Sequence, residues 1–402
     1  MAKEKKDKDI MDIFDSINEI DPYAKYLDSS NIEEWIDTGS LLLNALVSGS
    51  MYKGIPMGRL IQFAGPSQTF KTGFMMQIAA SAQKAGKEIL LFDTENAWTG
   101  ESAKSFGLDV TRIKKSDNTC IESVKNIIHK FLSVVRERGK NGQFIIIIDS
   151  LANMQSVLDL KRMDKDNESS DMGNRAKAIK ALLTECTNSG SVTQTPIIFT
   201  NHVYDNPTEM YPSLEKNLPG GKSVIFLPSI TVQLARKLVK DGEVKADSTL
   251  AANQKSYSGV VIRALTVKNR FIKQYLEGEM YLSFSKGLDK RYGLLEIMKG
   301  MGVVVGSGAT YLDWEGNKLG YEKNFRDNNE LWNTKLLPEL ESRIGLHWKF
   351  GNLKDGEEDE IFQDDSENDE ISVEKPLDKL KKLKSKVTEK LDEYEEGPPE
   401  DY

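Results

Sequence analysis

The feature that most constrains the fold is a short loop between an apolar strand and a helix. Residues 60–64 (LIQFA) form the apolar run, residues 65–72 read GPSQTFKT, and a helical pattern begins at Gly73. A loop with this spacing of glycine, lysine and threonine is a P-loop, in which backbone N–H groups and the helix N-terminus surround phosphates. The sequence therefore predicts an α/β fold with a phosphate site. The candidate phosphate-binding residues are Gly65, Pro66, Ser67, Gln68, Thr69, Phe70, Lys71 and Thr72.

The end of this loop predicts ATP and Mg²⁺ as cofactors. Lys71 would place a positive charge on the β- and γ-phosphates, and the Thr72 hydroxyl would bind Mg²⁺. Phe70 stands where the general motif has its second glycine. Because a bulky residue resists a positive φ, we expect a backbone conformation at Phe70 that a side chain tolerates.

Two further apolar strands end in carboxylates. The run at residues 144–149 (FIIIID) ends in Asp149, the position of an acid that binds Mg²⁺ through water. The run at residues 89–93 leads to Glu95, at the strand edge where doubly wound sheets bind ligands. A carboxylate there can deprotonate the water that attacks the γ-phosphate. The alternative for Glu95 is a helix N-cap or a surface acid.

Apolar runs alternate with helical patterns from about residue 31 to residue 350, which is typical of βαβ units around a parallel sheet. We predict an ATPase core at residues 36–285, with a mostly parallel central sheet flanked by helices, and a small α/β subdomain at residues 286–353. Residues 1–35 are predicted to hold an oligomerisation helix and a linker. Packing of that helix on its own domain is an equal alternative. Its apolar stripe consists of Ile10, Ile13, Phe14, Ile17 and Ile20.

The negative charge is concentrated in the last segment. The chain carries a net charge of −8, whereas residues 354–402 hold 19 acidic and 8 basic residues, so residues 1–353 carry +3. Residues 355–370 hold ten acidic residues and no basic one, a composition that predicts disorder. A short amphipathic helix is expected at residues 377–394. The mildly basic body is compatible with nucleic acid, and the tail would either compete with phosphates for it or have no role.

Composition also predicts the compartment. The longest apolar run, residues 144–148, is too short to span a bilayer, and no apolar stretch follows the charged N-terminus. Two cysteines, Cys120 and Cys186, form neither a disulfide framework nor a metal-site spacing. We therefore expect a cytoplasmic protein with reduced cysteines and no membrane partner.

Together these motifs resemble the RecA-type recombinases, and most closely their phage branch, the UvsX recombinases of tailed phages. The similarity spans about residues 36 to 350, and Phe70 and His202 are the variations associated with the phage branch. The segments that carry it are residues 38–46 (TGSLLLNAL), 54–59 (GIPMGR), 65–67 (GPS), 93–95 (DTE), 149–150 (DS), 200–202 (TNH) and 267–270 (VKNR).

The resemblance implies a RecA-like fold and an ATP-dependent DNA recombinase. Such a protein forms helical filaments on single-stranded DNA and exchanges strands with homologous duplex DNA in recombination, repair and replication. It implies that Glu95 is the general base and that His202 senses the γ-phosphate. Lys268 and Arg270 would reach across the filament interface into the neighbour's ATP site, so that hydrolysis requires assembly. Without the resemblance they would be exposed strand-end charges.

Two long connections are candidate DNA-binding loops, at residues 158–177 and 203–222. By resemblance, Met172 and Val203 or Tyr204 would wedge between bases, and Arg175, Lys177 and Lys222 would contact phosphates. Gly220 and Gly221 would let the backbone approach the strand. Acidic residues in both loops weaken a purely electrostatic interpretation.

Two other functional classes remain open at this stage. One is a RecA-fold ATPase of another kind, a ring helicase or a signalling ATPase. The other is a DNA-binding assembly protein with an inactive nucleotide site, which Glu95 argues against. Further expected partners are other copies of the chain, and mediator or single-strand-binding proteins in a phage-infected bacterial host.

Overall fold

The structure is a computed structural model that describes residues 13–20, 32–163, 172–203, 218–240, 257–307, 310–326 and 328–350. The strands are β1 (Trp35–Ile36), β2 (Ile55–Pro56), β3 (Leu60–Ala64), β4 (Glu88–Asp93), β5 (Ile113–Ser116), β6 (Phe144–Asp149), β7 (Ile197–Asn201), β8 (Ile230–Lys240), β9 (Tyr257–Asn269), β10 (Leu276–Ser283), β11 (Gly287–Leu288), β12 (Val304–Ser307), β13 (Thr310–Asp313) and β14 (Lys318–Gly320). The strands predicted from the sequence at residues 60–64, 89–93, 144–149 and 197–200 are confirmed as β3, β4, β6 and β7.

The helices follow most of the parallel strands. Their bounds are Ile17–Ile20, Leu41–Ser48, Lys71–Lys84, Gly100–Ser105, Ile121–Glu137, Val157–Met163, Met172–Val192, Ser223–Phe226, Leu294–Gly300, Glu322–Arg326, Asn329–Leu331 and Leu337–Trp348. Short 3-10 turns cover Val110–Arg112 and Leu151–Asn153, and a π-helical turn covers Trp332–Leu336. Among the described residues, no helix is both long and apolar enough to cross a bilayer.

Nine of the described strands form one mixed sheet in the order β11-β10-β9-β8-β3-β7-β6-β4-β5. The pairs from β8 to β5 are parallel, whereas β8, β9, β10 and β11 pair antiparallel with one another. The parallel half requires crossover connections, which the helices supply. This arrangement confirms the predicted α/β class, a mostly parallel sheet flanked by helices.

The unbroken apolar run of β6 reflects burial on both faces of the sheet. Ile145 and Ile147 lie in the core that includes the helix Lys71–Lys84, whereas Ile146 and Ile148 lie in a second core beneath the helices Ile121–Glu137 and Met172–Val192. All four side chains are fully buried. Full burial of each isoleucine contributes about 1.5–3 kcal/mol, so both cores hold this central strand in place.

The segment after β11 packs on the first core. Leu294, Met298, Trp332, Leu336 and Leu340 are buried in the same cluster as the first face of the large sheet. A three-stranded antiparallel sheet of β12, β13 and β14 lies within this segment. The described residues from 32 to 350 belong to one compact unit. The boundaries predicted at residues 35/36, 285/286 and 353/354 stay predictions, and the acidic tail lies outside the described residues.

The apolar stripe near the N-terminus is exposed in this chain. Ile13, Phe14, Ile17 and Ile20 are 71%, 64%, 44% and 80% exposed, and the helix Ile17–Ile20 is short. Ile10 lies outside the described residues. An exposed stripe of this kind suits a partner surface, but its role in oligomerisation stays a prediction.

Both cysteines are free thiols. Cys186 is completely buried on the helix Met172–Val192, and burial raises the pKa of its thiol well above the usual range. Its environment is therefore that of a small apolar core residue.

Candidate nucleotide site and nucleic-acid interface

The register of the parallel strands brings four loops to one edge of the sheet. Ala64 pairs with Asn201 at the ends of β3 and β7, and Asp93 pairs with Asp149 at the ends of β4 and β6. The segments that follow these strands hold the P-loop, Glu95, Ser150 and His202. Ligands of open α/β sheets bind at this carboxyl edge, so the predicted catalytic groups lie where the fold places a site.

The P-loop lysine is turned toward its own loop. Its Nζ donates to the carbonyl of Gly65 at 2.9 Å and to that of Pro66 at 2.8 Å, and the side chain is nearly buried. Burial lowers the pKa of Lys71, and the negative charges of Glu95 and Asp149 oppose that shift. In a nucleotide complex, phosphate oxygens would take the place of the two carbonyl acceptors. Phosphate oxygens carry negative charge and therefore bind an ammonium group more strongly than carbonyl oxygens do.

Phe70 corrects one expectation from the sequence. Its φ is +68°, so the residue adopts the left-handed conformation that we expected a bulky side chain to avoid. The ring packs edge-to-face on Phe74, with centroids 5.2 Å apart, and lies 6.1 Å from the ring of Phe106. Each aromatic contact contributes about 0.5–1.5 kcal/mol, which offsets a backbone strain of similar size.

The Phe70 ring also explains the glycine that follows three residues later. A Cβ on Gly73 would lie 2.2 Å from Cε2 of Phe70, a separation that real side chains do not reach. We expect Gly73→Ala to lower the free energy of unfolding by about 1–3 kcal/mol, because the ring must leave its place. Denaturant titration measures this loss, with Gly100→Ala as the matched control at an open helix position. The double variant Phe70→Ala, Gly73→Ala should lose less unfolding free energy than the sum of the two single losses. If the losses are simply additive, steric overlap between Phe70 and the new Cβ is not the cause.

Thr72 and Asp149 form the predicted metal-binding pair. The Thr72 hydroxyl donates to Oδ2 of Asp149 at 2.8 Å, and the Thr200 hydroxyl donates to Oδ1 at 2.5 Å. Asp149 is 1% exposed, and burial raises the pKa of its carboxyl group. The hydrogen bonds from Thr200, Thr72 and Trp98 act in the opposite direction and lower this pKa.

The oxygen ligands offered by Thr72 and Asp149 fit Mg²⁺ rather than a softer metal. Hydroxyl and carboxylate oxygens are hard ligands, and Mg²⁺ prefers one or two of them together with phosphate oxygens and waters. The described residues contain no group of three or more His, Cys, Asp or Glu side chains that would hold a metal by themselves. Thr72 and Asp149 would therefore hold Mg²⁺ jointly with a nucleotide.

Glu95 is the centre of a polar cluster. The Ser150 hydroxyl donates to Oε1 of Glu95 at 2.5 Å, and Nε2 of His202 lies 3.2 Å from the same oxygen. Thr94 fixes Ser150, because its hydroxyl donates to the Ser150 carbonyl at 2.7 Å and accepts from the Ser150 N–H at 2.9 Å. The side chains of Glu95 and His202 are each 26% exposed, so water can reach the carboxylate.

The alternative of a helix N-cap does not describe Glu95. Thr99 caps the next helix, Gly100–Ser105, through its side chain. Sequence reasoning identified Glu95, Asp149 and His202 but missed the contributions of Thr94 and Ser150. The available signal was the hydroxyl residue that follows each strand-end aspartate, Thr94 after Asp93 and Ser150 after Asp149. Only the register of β4 and β6 shows that these two pairs lie side by side.

Lys268 and Arg270 lie at the end of β9, away from their own P-loop. Nζ of Lys268 donates to the carbonyls of Ile225 at 2.9 Å and Phe226 at 2.5 Å, and the Arg270 guanidinium donates to Phe226 at 3.0 Å. Both cations thus cap the C-terminal end of the helix Ser223–Phe226. Burial and, to a smaller extent, the charge of Arg270 lower the pKa of Lys268 to about 8.

The first predicted DNA loop is shorter than the sequence suggested. Residues 158–163 belong to the helix Val157–Met163, and residues 172–177 to the helix Met172–Val192. Ser156 and Asp159 begin the first helix by exchanging side-chain and backbone hydrogen bonds, a local signal that the polar composition concealed. Residues 164–171 lie outside the described residues. Met172 is the first residue of the second helix.

The basic candidates in the first loop have different surroundings. Lys177 is exposed, whereas the Arg175 guanidinium donates to the carbonyls of Leu151, Ala152 and Met154 and so holds the turn after β6. A phosphate would have to share the Arg175 side chain with these carbonyls. Both assignments to DNA stay predictions.

The second predicted loop meets the first. Gly220 and Gly221 have φ values of +112° and +76°, and a Cβ on Gly221 would lie 3.2 Å from Cβ of Ala176. The Asn201 side chain donates to the Pro219 carbonyl at 3.1 Å, which ties the end of β7 to this loop. Lys222 is exposed and Val203 is partly buried, whereas Tyr204 and residues 205–217 lie outside the described residues.

The fold and the site define a class of protein before any comparison. A P-loop, a strand-end acid bonded to its threonine, and a second carboxylate on the same sheet edge are the parts of a P-loop ATPase. The family model of the RecA N-terminal domain matches residues 25–289, more than half of the chain. The chain belongs to the RecA family.

Individual relatives agree with this assignment. The chain is 27% identical to Protein RecA of Ruminococcus albus over 315 residues, which cover 77% of this chain and 72% of the relative. It is 28% identical to Protein RecA of Streptomyces coelicolor over 313 residues, covering 77% and 76%. It is 26% identical to Protein RecA of a Nocardioides species over 318 residues, covering 77% and 82%.

Membership gives the function at the level of the family. RecA proteins are DNA-dependent ATPases of recombination and repair that use ATP with Mg²⁺ and assemble on single-stranded DNA. The relationship to the phage branch stays a prediction, as do the roles of single residues.

Proposed function

We propose that this protein is a strand-exchange recombinase that hydrolyses ATP within a helical filament on single-stranded DNA. It pairs that strand with homologous duplex DNA in recombination, repair and recombination-dependent replication. The observation that carries the proposal is the Glu95 cluster, in which a partly exposed carboxylate is held by Ser150 and His202 on the edge that bears the P-loop. Such an arrangement serves hydrolysis rather than nucleotide binding alone.

The P-loop side of the site binds and orients the triphosphate. Lys71 exchanges the carbonyls of Gly65 and Pro66 for phosphate oxygens, and exposed backbone at residues 66–68 surrounds them. Thr72 and Asp149 hold Mg²⁺, which when bound neutralises negative charge that develops on the phosphates. The Thr200 bond to Asp149 keeps the carboxylate turned toward Thr72.

Glu95 takes the proton from the attacking water. The Ser150 hydroxyl and His202 bond to the same oxygen, Oε1, which leaves Oε2 to accept the proton. General-base catalysis of this kind contributes about 10²–10⁴-fold to the rate. His202 follows Asn201, whose side chain is bonded to Pro219 in the second DNA loop, so a change at the γ-phosphate is transmitted to that loop.

The cations of the active filament come from the next subunit. Lys268 and Arg270 contact the helix Ser223–Phe226 in the isolated chain. The end of β9 pairs with the start of β8, whereas the P-loop follows the opposite end of the neighbouring strand β3. In a head-to-tail assembly the two cations would instead reach the neighbour's phosphates, which explains why hydrolysis depends on assembly. On moving to the neighbour, both cations would leave the helix Ser223–Phe226. This helix begins next to Gly220, Gly221 and Lys222, the end of the second DNA loop.

A decisive test distinguishes a filament from a ring. Electron microscopy with single-stranded DNA and an ATP analogue should show continuous helical filaments, and closed rings would favour a helicase-like or signalling ATPase. The functional assay is strand exchange between circular single-stranded DNA and homologous linear duplex with ATP and Mg²⁺. ATP hydrolysis without any joint molecules would overturn the recombinase assignment while preserving that of the ATPase.

The finer assignments extend the same proposal. Phe70 and His202 support the phage branch, which would place the protein in the cytoplasm of an infected bacterium. The segment at residues 377–394 would dock a mediator or a single-strand-binding protein through its apolar stripe. Pull-down with and without residues 377–402 tests this partner, and equal capture would remove it.

The lowered pKa of Lys268 predicts a pH dependence. In the unassembled chain the pKa of Lys268 is about 8, so its ammonium group loses the proton as the pH rises through that value. The cationic form is needed at the neighbour's phosphates, and those phosphates hold the proton once the subunits are in place. We therefore expect assembly on DNA to weaken between about pH 7 and 9, because an unassembled subunit must first take up a proton. Lys268→Arg should keep assembly constant over this range, since arginine stays charged. The protein concentration that gives half-maximal DNA-stimulated hydrolysis measures this difference at each pH, and an identical change in both proteins would contradict it.

A further inference from the structure

The indole of Trp98 is bonded to the acid predicted to bind the metal. Its Nε1–H donates to Oδ2 of Asp149 at 3.1 Å, the same oxygen that accepts the Thr72 hydroxyl. Trp98 is 5% exposed and lies in the core on the side of the helix Lys71–Lys84. The donor is therefore held by core packing and shielded from water.

The segment that carries Trp98 is closed on a second buried carboxylate. Asp93 is fully buried, and its two oxygens accept the N–H groups of Ala97 at 3.1 Å and Trp98 at 3.0 Å. Lys115 on β5 neutralises it through a 2.9 Å ion pair. This closed turn holds Glu95 and Trp98 on one rigid segment, so the base and the indole donor are positioned together.

The direction of the indole bond argues for more than packing. A buried indole N–H requires an acceptor, and a backbone carbonyl satisfies that need elsewhere in this chain, where Trp332 donates to Phe325 at 2.9 Å. Trp98 instead donates to a buried carboxylate at the nucleotide edge. Hydrogen-bond donors to a metal-binding carboxylate fix its orientation, and their removal commonly changes metal affinity by about 10–100-fold.

We propose that Trp98 is a positioning residue for Asp149, which sets the strength of Mg²⁺-dependent nucleotide binding. The inference rests on the proposed function, in which Asp149 is the Mg²⁺ acid. Thr72 and Trp98 both donate to Oδ2, while Thr200 donates to Oδ1. Removing the indole donor allows the carboxylate to rotate away from Thr72. The loss of a buried hydrogen bond lowers stability in any state, but the loss of orientation weakens binding only when the metal is present.

The test is Trp98→Phe, which keeps an aromatic ring and removes the N–H group. Binding of a non-hydrolysable ATP analogue is measured by calorimetry over a series of Mg²⁺ concentrations and again in EDTA. We expect the half-saturating Mg²⁺ concentration to rise about tenfold, with affinity in EDTA unchanged. The matched control is Trp332→Phe, which removes a buried indole bond to a carbonyl and should lower thermal stability without changing the Mg²⁺ dependence.

The outcomes separate the inference from the proposed function. If Asp149→Asn leaves the Mg²⁺ dependence unchanged, the assignment of the metal acid itself fails. If Asp149→Asn weakens it and Trp98→Phe does not, only the role of Trp98 is overturned. An equal loss of affinity with Mg²⁺ and in EDTA also overturns it, since that pattern indicates packing. Should the phenylalanine variant not fold, replacing Trp98 with benzothienylalanine, which keeps the bicyclic shape and lacks the N–H, gives the same comparison.

Discussion

Glu95→Gln is expected to lower DNA-stimulated ATP hydrolysis by about 10²–10⁴-fold. Glutamine has nearly the same shape and can still accept the Ser150 hydrogen bond, but it cannot take a proton from water. Nucleotide affinity should therefore change little, and filaments should persist because bound ATP is no longer consumed. The measurement is the single-turnover rate on saturating single-stranded DNA, together with the affinity for ATP.

The control for this change is Glu101→Gln. Glu101 is an exposed carboxylate in the first turn of the helix Gly100–Ser105, close to Glu95 in the chain but absent from its polar cluster. Its substitution should leave hydrolysis at the level of the unmodified protein. Normal hydrolysis by Glu95→Gln would show that another group accepts the proton, and the family-level ATPase would then need a different base.

Removal of the cations at Lys268 and Arg270 should lower hydrolysis by a comparable factor, because the neighbouring ATP site would lose its positive charge. The double variant Lys268→Ala, Arg270→Ala is expected to lose about 10³–10⁵-fold in DNA-stimulated hydrolysis, the range for a cation supplied across an interface. Binding of ATP to the isolated subunit should be retained, because these side chains contact the helix Ser223–Phe226 and not their own P-loop. Steady-state hydrolysis and nucleotide binding are measured on the same preparation.

Mixing the two inactive proteins tests the interface directly. In a random head-to-tail filament of Glu95→Gln subunits and cation-deficient subunits, about a quarter of the interfaces combine an intact base with intact cations. Hydrolysis should therefore reappear on mixing, although neither protein is active alone. If the cations act within their own subunit, the mixture stays inactive. Because the cations also cap a helix, thermal melting of the double variant must show that the fold is intact.

Much of the site could be predicted because its signals are local. The P-loop, the strands β4 and β6, and the acids at their ends each depend on residues adjacent in the chain, so spacing and apolar runs identify them. The bounds of the first predicted DNA loop could not be identified from local sequence signals. Its polar composition suggested a loop, whereas the bonds between Ser156 and Asp159 begin a helix there.

The sequence by itself determined the class of fold, the phosphate loop and the carboxylates that flank it. The tertiary structure alone decided the left-handed conformation of Phe70, whose strain its contacts with Phe74 and Phe106 offset. It also decided the bond from Trp98 to Asp149, between residues 51 positions apart. The physical reason is the same in both cases: such contacts depend on which side chains the sheet register and core packing bring together, and no local pattern carries that information.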